Sequence, residues 1–180
     1  MGSAISTGFE VSEVKIYWAE LHRLNRVWRQ WMDGRSKFVT PSTLDSLRYA
    51  RIECNEGADI ELRERLPEHA RNNGRNHTVR SELAQVVMLL LTALPDASLF
   101  SVAEASGTMT MDRLCHEANM LVIYAIDGYG WKINVCICDL LLDIARHPGV
   151  EVEADLRQCW SALAWKHASQ HMSGYPEELK

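Results

Sequence analysis

Apolar residues recur every three to four positions along most of this chain, which is the period of an amphipathic α-helix. Proline, glycine and polar stretches divide the pattern into six segments. They predict helices at about 12–33, 43–66, 78–94, 110–127, 132–146 and 153–171. Because short connections favour antiparallel neighbours, we expect an all-α helical bundle of five to six helices.

The stretches between these segments predict the domain limits. We expect residues 1–11 to be a disordered lead, residues 12–172 to form a single helical domain, and residues 173–180 to be a frayed tail. Residues 68–77 are polar and read as a loop, and residues 96–108 as a loop or a short turn of helix. Gly128 and Gly130 are expected to separate the fourth helix from the fifth, and the tryptophans at 18, 28 and 31 belong to a core or an interface.

Composition narrows the functional classes. The chain of 180 residues is 47% hydrophobic and carries a net charge of −5, which suits one compact domain and gives no basic excess for nucleic acid. Apolar runs such as 86–91 are too short to span a bilayer, so no membrane partner is expected. The five cysteines are odd in number and contain no CxxC pair, which favours reduced thiols in a cytoplasmic protein.

Acids at helical spacing are the main candidates for chemistry. Glu53, Glu56 and Asp59 lie three residues apart on the second predicted helix, and Glu82 and Gln85 have the same spacing on the third. Two such helices packed face to face aim several carboxylates at one point, where they repel one another unless a cation lies between them. Mg²⁺ prefers oxygen ligands and commonly binds substrate phosphates. The other interpretation is that these acids are solvated faces of ordinary amphipathic helices.

The stretch 43–94 resembles the MazG-like all-α nucleoside triphosphate pyrophosphohydrolases, a group that includes the dimeric dUTPases. Their pattern is Glu-Glu-x-x-Glu on one helix and Glu-x-x-Asp on a later one. Glu53-Cys54-Asn55-Glu56-Gly57-Ala58-Asp59 is similar to the first element, and Glu82-Leu83-Ala84-Gln85 to the second. This sequence departs from the pattern twice, with Ile52 in place of the first Glu and Gln85 in place of the final Asp.

The resemblance implies an activity and a ligand set. It implies that Glu53, Glu56 and Glu82 bind Mg²⁺, or Mn²⁺ as an alternative, with Gln85 as the remnant of a fourth ligand and Asp59 replacing part of the lost charge. It implies cleavage of a nucleoside triphosphate between the α- and β-phosphates, which gives a monophosphate and pyrophosphate. It also implies a homodimer or homotetramer, for which Trp28 and Trp31 are candidate interface residues. Because of the two departures, the alternative is a non-catalytic nucleotide-sensing or protein-binding module. No catalytic residue is singled out.

Basic residues before the second acidic element are candidates for substrate binding. Arg71, Arg75, His77 and Arg80 would neutralise phosphate oxygens, although a merely hydrophilic loop explains them equally well. Lys132 follows the Gly-Tyr-Gly break and is a weaker candidate.

Three other pairs of residues lie two or four positions apart. His167 and His171 lie four apart on a predicted helix but lack a third metal ligand. Cys136 and Cys138 read as buried thiols, and Asp139 and Asp143 as part of a polar stripe.

Overall fold

The computed structural model describes residues 14–33, 35, 39–65, 77–96, 103–105, 107–168 and 172–180. Six α-helices follow one another in these ranges: α1 (Trp18–Met32), α2 (Thr43–Glu64), α3 (Val79–Ala93), α4 (Met111–Ile126), α5 (Gly130–Ala145) and α6 (Val152–His167). A short 3₁₀ helix covers Glu177–Leu179. The prediction of an all-α bundle of five to six helices is therefore confirmed.

Two short strands precede α1 and α4. Strand β1 (Val14–Ile16) pairs antiparallel with β2 (Ala103–Ala105), and Lys15 lies opposite Glu104. The prediction that the first helix begins at residue 12 is wrong, because β1 occupies 14–16 and α1 begins at Trp18. The predicted loop at 96–108 likewise contains β2. Three residues are too few for an alternating pattern to stand out in the sequence.

Side-chain caps define where several helices begin. The Ser42 hydroxyl accepts the backbone N–H of Asp45 at the start of α2, as the Pro-Ser-Thr sequence predicts. At the start of α3, Thr78 and Ser81 form a reciprocal capping box. Each cap satisfies backbone N–H groups that have no partner inside the helix. These local bonds fix the beginning of the two helices that carry the acidic residues.

Helix α3 lies at the centre of the bundle. It packs against α1, α2, α5 and α6, and its residues are apolar on nearly every side. Helix α2 packs along α3 and also against α4. The acidic residues of α2 and α3 consequently lie at an interface between two helices.

Tryptophans of α1 and α6 join these helices through a buried polar network. The Trp28 indole N–H donates to the Trp160 carbonyl at 3.0 Å, and the Trp160 indole N–H donates to the Asn25 side-chain oxygen at 3.0 Å. The Trp31 ring packs edge-on against Tyr175 at a centroid distance of 5.1 Å. The prediction that Trp28 and Trp31 serve an interface between chains is wrong, because both are buried within one chain.

The C-terminal residues are folded onto this core. Tyr175 and Leu179 are buried against the rest of the bundle, and Arg157 donates to the Glu178 carbonyl at 2.7 Å. The prediction of a frayed tail at 173–180 is therefore wrong, because apolar burial and this hydrogen bond both hold the segment in place.

Other boundaries differ less from the predictions. Gly130 does not break a helix but is the first residue of α5. Gly128, with a φ of 78°, lies in the turn between α4 and α5. Helix α6 ends at His167 rather than at residue 171. The lead 1–11 and most of the polar loop 68–77 lie outside the described residues.

Candidate metal centre

Helices α2 and α3 bring three carboxylates together. Glu53 and Glu56 lie one turn apart on α2, and Glu82 lies in the first turn of α3. One carboxylate oxygen from each of the three lies within 4.8 Å of the other two. Among the described residues, this is the group of acidic, histidine or cysteine side chains whose spacing suits a single ion. We refer to Glu53, Glu56 and Glu82 as the glutamate cluster.

The absence of a side chain at Gly57 of α2 leaves room for the Met111 side chain of α4, next to Glu82 of α3. A Cβ placed on Gly57 would lie 3.5 Å from the Cβ of Glu82 and 3.0 Å from the terminal methyl of Met111. Glycine inside a helix costs roughly 0.5–1 kcal/mol relative to alanine. The cap at Thr78 in turn places Glu82 near the helix N-terminus, where the helix dipole favours a negative charge.

Glu82 is the anchor of the cluster. Its side chain is fully buried, with 0% exposure. The Nδ1 atom of His77 lies 2.6 Å from Oε1, and the Gln85 side-chain amide donates to Oε2 at 2.9 Å. A buried carboxylate without partners would cost several kcal/mol. These two contacts compensate part of that cost and fix the orientation of the carboxylate.

Glu53 carries the clearest electrostatic signature of the cluster. Burial, a hydrogen bond with Glu82 and the charges of Glu82 and Glu56 raise the pKa of Glu53 to about 8, while Lys166 acts in the opposite direction. At neutral pH a proton therefore reduces the repulsion among the three carboxylates. A divalent cation would neutralise the same charge, since metal binding and proton release are linked. The three glutamates thus fit an oxygen-ligated cation such as Mg²⁺.

The two remaining predicted ligands have different positions. Gln85 contacts the cluster through its amide N–H, so it supports Glu82; ligation by its carbonyl oxygen stays a prediction. Asp59 is about half exposed and forms an ion pair with Arg63 one turn further along α2. The structure therefore does not bring Asp59 into the glutamate cluster, because its side chain is directed along the helix surface.

Only part of the predicted basic set lies near the cluster. Arg80 points to α6, where its Nη2 lies 2.6 Å from Oδ1 of the buried Asp155. The Lys132 ammonium lies 5.0 Å from the Tyr129 ring centre, at the turn between α4 and α5, and none of its described contacts joins it to the glutamates. Arg71 and Arg75 lie outside the described residues.

A cavity of about 600 Å³ lies between α3 and α6, and it is linked to the glutamate cluster through residues that contact Glu82. Two of its lining residues, His77 and Gln85, are the same side chains that contact Glu82. Burial together with the nearby charges of Glu53 and Glu82 raises the pKa of Cys159, another lining residue, to about 12. The remaining wall contains Thr78, Arg80, Ser81, Asp155, Gln158, Ala162, Leu163 and Lys166. We refer to this space as the α3–α6 pocket.

The sequence alone does not single out the α6 wall of this pocket. Asp155, Cys159, Ala162 and Lys166 recur at intervals of three to four residues and therefore share one face of α6. That periodicity was available in the sequence. Nothing in it indicated that this face would lie opposite the first turn of α3, because the helix-to-helix arrangement depends on contacts distant along the chain.

The three other residue pairs contribute nothing to the cluster. His167 ends α6, and His171 lies outside the described residues. Cys138 is buried, as predicted, whereas Cys136 is only half-buried. Asp139 is exposed, but Asp143 is buried and pairs with Arg146 at 2.8 Å, so the polar stripe applies to the first of these acids and not the second.

Comparison of the chain with protein-family models, with curated proteins and with solved structures yields no match. None of the helices in the described part of the chain has the length and apolar character needed to cross a membrane. The fold and site therefore define the class alone: an all-α bundle with three carboxylates at a helix interface beside an open pocket.

Proposed function

We propose that this protein is a Mg²⁺-dependent nucleoside triphosphate pyrophosphohydrolase, which cleaves between the α- and β-phosphates to give a nucleoside monophosphate and pyrophosphate. The observation that carries the proposal is the convergence of Glu53, Glu56 and Glu82, whose partners His77 and Gln85 line the α3–α6 pocket. The resemblance of residues 43–94 to the MazG-like enzymes supplies the reaction type.

The glutamates have a direct role in this proposal. Glu53, Glu56 and Glu82 would hold the cation, and His77 and Gln85 would keep Glu82 oriented. A bound Mg²⁺, or Mn²⁺ in its place, would neutralise phosphate charge and polarise the phosphoryl group. Such a preorganised set of buried groups stabilises developing charge without reorganisation of water.

The α3–α6 pocket would hold the rest of the nucleotide. Lys166 supplies a positive charge on the same side as Glu53, which suits the phosphates. Ala162 and Leu163 offer an apolar surface for a nucleoside, as is usual in small-molecule sites. Arg80 is held by Asp155, so its role is to join the two walls of the pocket, and phosphate binding by Arg80 would require it to leave that partner.

Two parts of the proposal concern assembly and location. A homodimer or homotetramer is supported by the exposed Ile126 and Trp131 near the turn between α4 and α5, which are apolar surface left uncovered in one chain. A cytoplasmic location is supported by the five free cysteines. Sedimentation of the purified chain would test the first of these.

The alternative is a non-catalytic module that senses nucleotide or binds a protein partner. Two observations favour it: Ile52, in place of an acid, is 43% exposed on α2, and Gln85 is bonded to Glu82 through its amide. The cluster therefore contains three carboxylates and no fourth charge from these positions. A site of this kind would bind a Mg²⁺–nucleotide complex without hydrolysing it.

The discriminating experiment measures pyrophosphate release from a panel of nucleoside triphosphates, with and without Mg²⁺, together with nucleotide binding. We expect Mg²⁺-dependent release that falls by at least about 100-fold in Glu56→Gln, because one ligand is lost. Glu61→Gln is the matched control, since Glu61 lies on the same helix but pairs with Arg65. Binding without pyrophosphate release would establish the alternative, and absence of both would refute the site.

A further inference from the structure

Two cysteines face each other across the contact between α2 and α4. The Sγ atoms of Cys54 on α2 and Cys115 on α4 are 3.8 Å apart, and the Cys115 thiol also donates to the Cys54 carbonyl oxygen at 3.3 Å. Cys54 is fully buried, whereas Cys115 is partly exposed. Cys115 is therefore open to a small oxidant from solvent, whereas Cys54 lies in the core.

We propose that Cys54 and Cys115 form a redox-active pair that hydrogen peroxide converts into a disulfide joining α2 to α4. In the first step the Cys115 thiolate attacks a peroxide oxygen, the O–O bond breaks, and a sulfenic acid forms as hydroxide leaves. In the second step the Cys54 sulfur attacks the sulfenic sulfur and the S–O bond breaks. The Cys54 proton leaves with the oxygen as water. Overall, two thiols are oxidised by two electrons and one peroxide is reduced to two waters.

The packing of the helices makes this reaction accessible. An S–S bond is about 2.05 Å long, so the two sulfur atoms need to approach by less than about 2 Å. The bridge would close a loop between residues 61 positions apart, so the oxidised chain should be harder to unfold.

The other cysteines provide internal comparisons. Cys136 and Cys138 lie on α5 and Cys159 on α6. Burial raises the pKa of all three, whereas the contact given between two thiols in the described part of the chain is that of Cys115 with Cys54. Oxidation selective for the Cys54–Cys115 pair is thus the expected outcome in the folded chain.

The test treats the full chain with hydrogen peroxide, alkylates the remaining thiols and identifies disulfides by peptide mass spectrometry without reduction. We expect a Cys54–Cys115 cross-link as the dominant product, reversal by dithiothreitol, and an unfolding temperature several degrees higher after oxidation. In Cys115→Ala, Cys54 should stay reduced. In Cys54→Ala, Cys115 should accumulate as a sulfenic acid that dimedone traps, and Cys136→Ala should form the wild-type cross-link.

Circular dichroism of each variant shows whether the bundle is intact. If Cys54→Ala does not fold, the wild-type cross-link and the Cys115→Ala result still decide the question. The proposal is overturned if peroxide oxidises Cys136 or Cys159 without linking Cys54 to Cys115, or if Cys54 is oxidised equally fast in Cys115→Ala. No nucleotide enters the assay, so its outcome is independent of the proposed hydrolase activity.

Discussion

Binding of Mg²⁺ to the glutamate cluster should displace a proton from Glu53. The pKa of this residue is raised to about 8 by burial and by its carboxylate neighbours. At pH 7 it is then about 90% protonated, so each bound ion should release about 0.9 proton. The apparent association constant should rise about tenfold per pH unit up to roughly pH 7.5 and become flat above roughly pH 8.5.

Isothermal titration calorimetry in buffers of different ionisation heat measures both the number of protons released and the association constant for Mg²⁺. Repetition from about pH 6 to about pH 9, a range that spans the Glu53 pKa, gives the affinity profile. Glu53→Gln should bind Mg²⁺ more weakly and with no proton release, while Glu61→Gln should retain the wild-type profile. Tight binding by the wild type with a flat pH profile would refute the argument, because Glu53 would then not be both protonated and a ligand.

The same shift has a consequence for stability without metal. Because the pKa of Glu53 is higher in the folded state than its ordinary value of 4.5, the folded state binds more protons and stability falls as pH rises from 4.5 towards 8. Partial exposure weakens the effect, so we expect a loss on the order of 2 kcal/mol. Urea unfolding at the two ends of this window should show the loss in the wild type and a smaller one in Glu53→Gln. An equal loss in both would assign it to other groups.

Three further substitutions test the pocket and the bundle. Lys166→Met should raise KM for a nucleoside triphosphate about tenfold by removing a phosphate partner, while Lys180→Met should not; equal KM values would remove Lys166 from the site. Asn25→Ala should cost about 2–3 kcal/mol in urea unfolding, because the buried Trp160 N–H loses its acceptor; a cost below about 1 kcal/mol would contradict this. Thr78→Ala should cost about 1 kcal/mol in thermal unfolding through loss of the α3 cap, and an unchanged Tm would contradict that role.

Much of the bundle was predictable because its helices carry local signals. The Pro-Ser-Thr sequence before α2 and the apolar run of α3 both predict a helix without knowledge of the rest of the chain. Strand β1 was not predictable in this way, because its partner β2 is almost ninety residues away in sequence. The folded C-terminal segment was missed for the same reason, since Tyr175 gains its stability from contact with Trp31.

The candidate site was likewise predictable where it depends on local spacing, and not where it depends on contacts between residues distant along the chain. Helical spacing gives Glu53 and Glu56 a common face, and the packing of α3 along α2 brings Glu82 opposite them. Spacing also suggested Asp59, but it cannot show that a neighbouring Arg63 engages that carboxylate. The contribution of Lys166 depends on how α6 packs on α3, and no short pattern in the sequence specifies that arrangement.

Gly57 gives the cluster a property that none of its acids has. A Cβ at this position would be in ordinary contact with Glu82 of α3 and in close contact with Met111 of α4, so the residue acts as a spacer between α2 and these two neighbouring helices. A graded series of side chains there would widen the gap step by step while leaving every ligand in the sequence. Preference among ions of different radius could then be tuned from a position that never touches the ion.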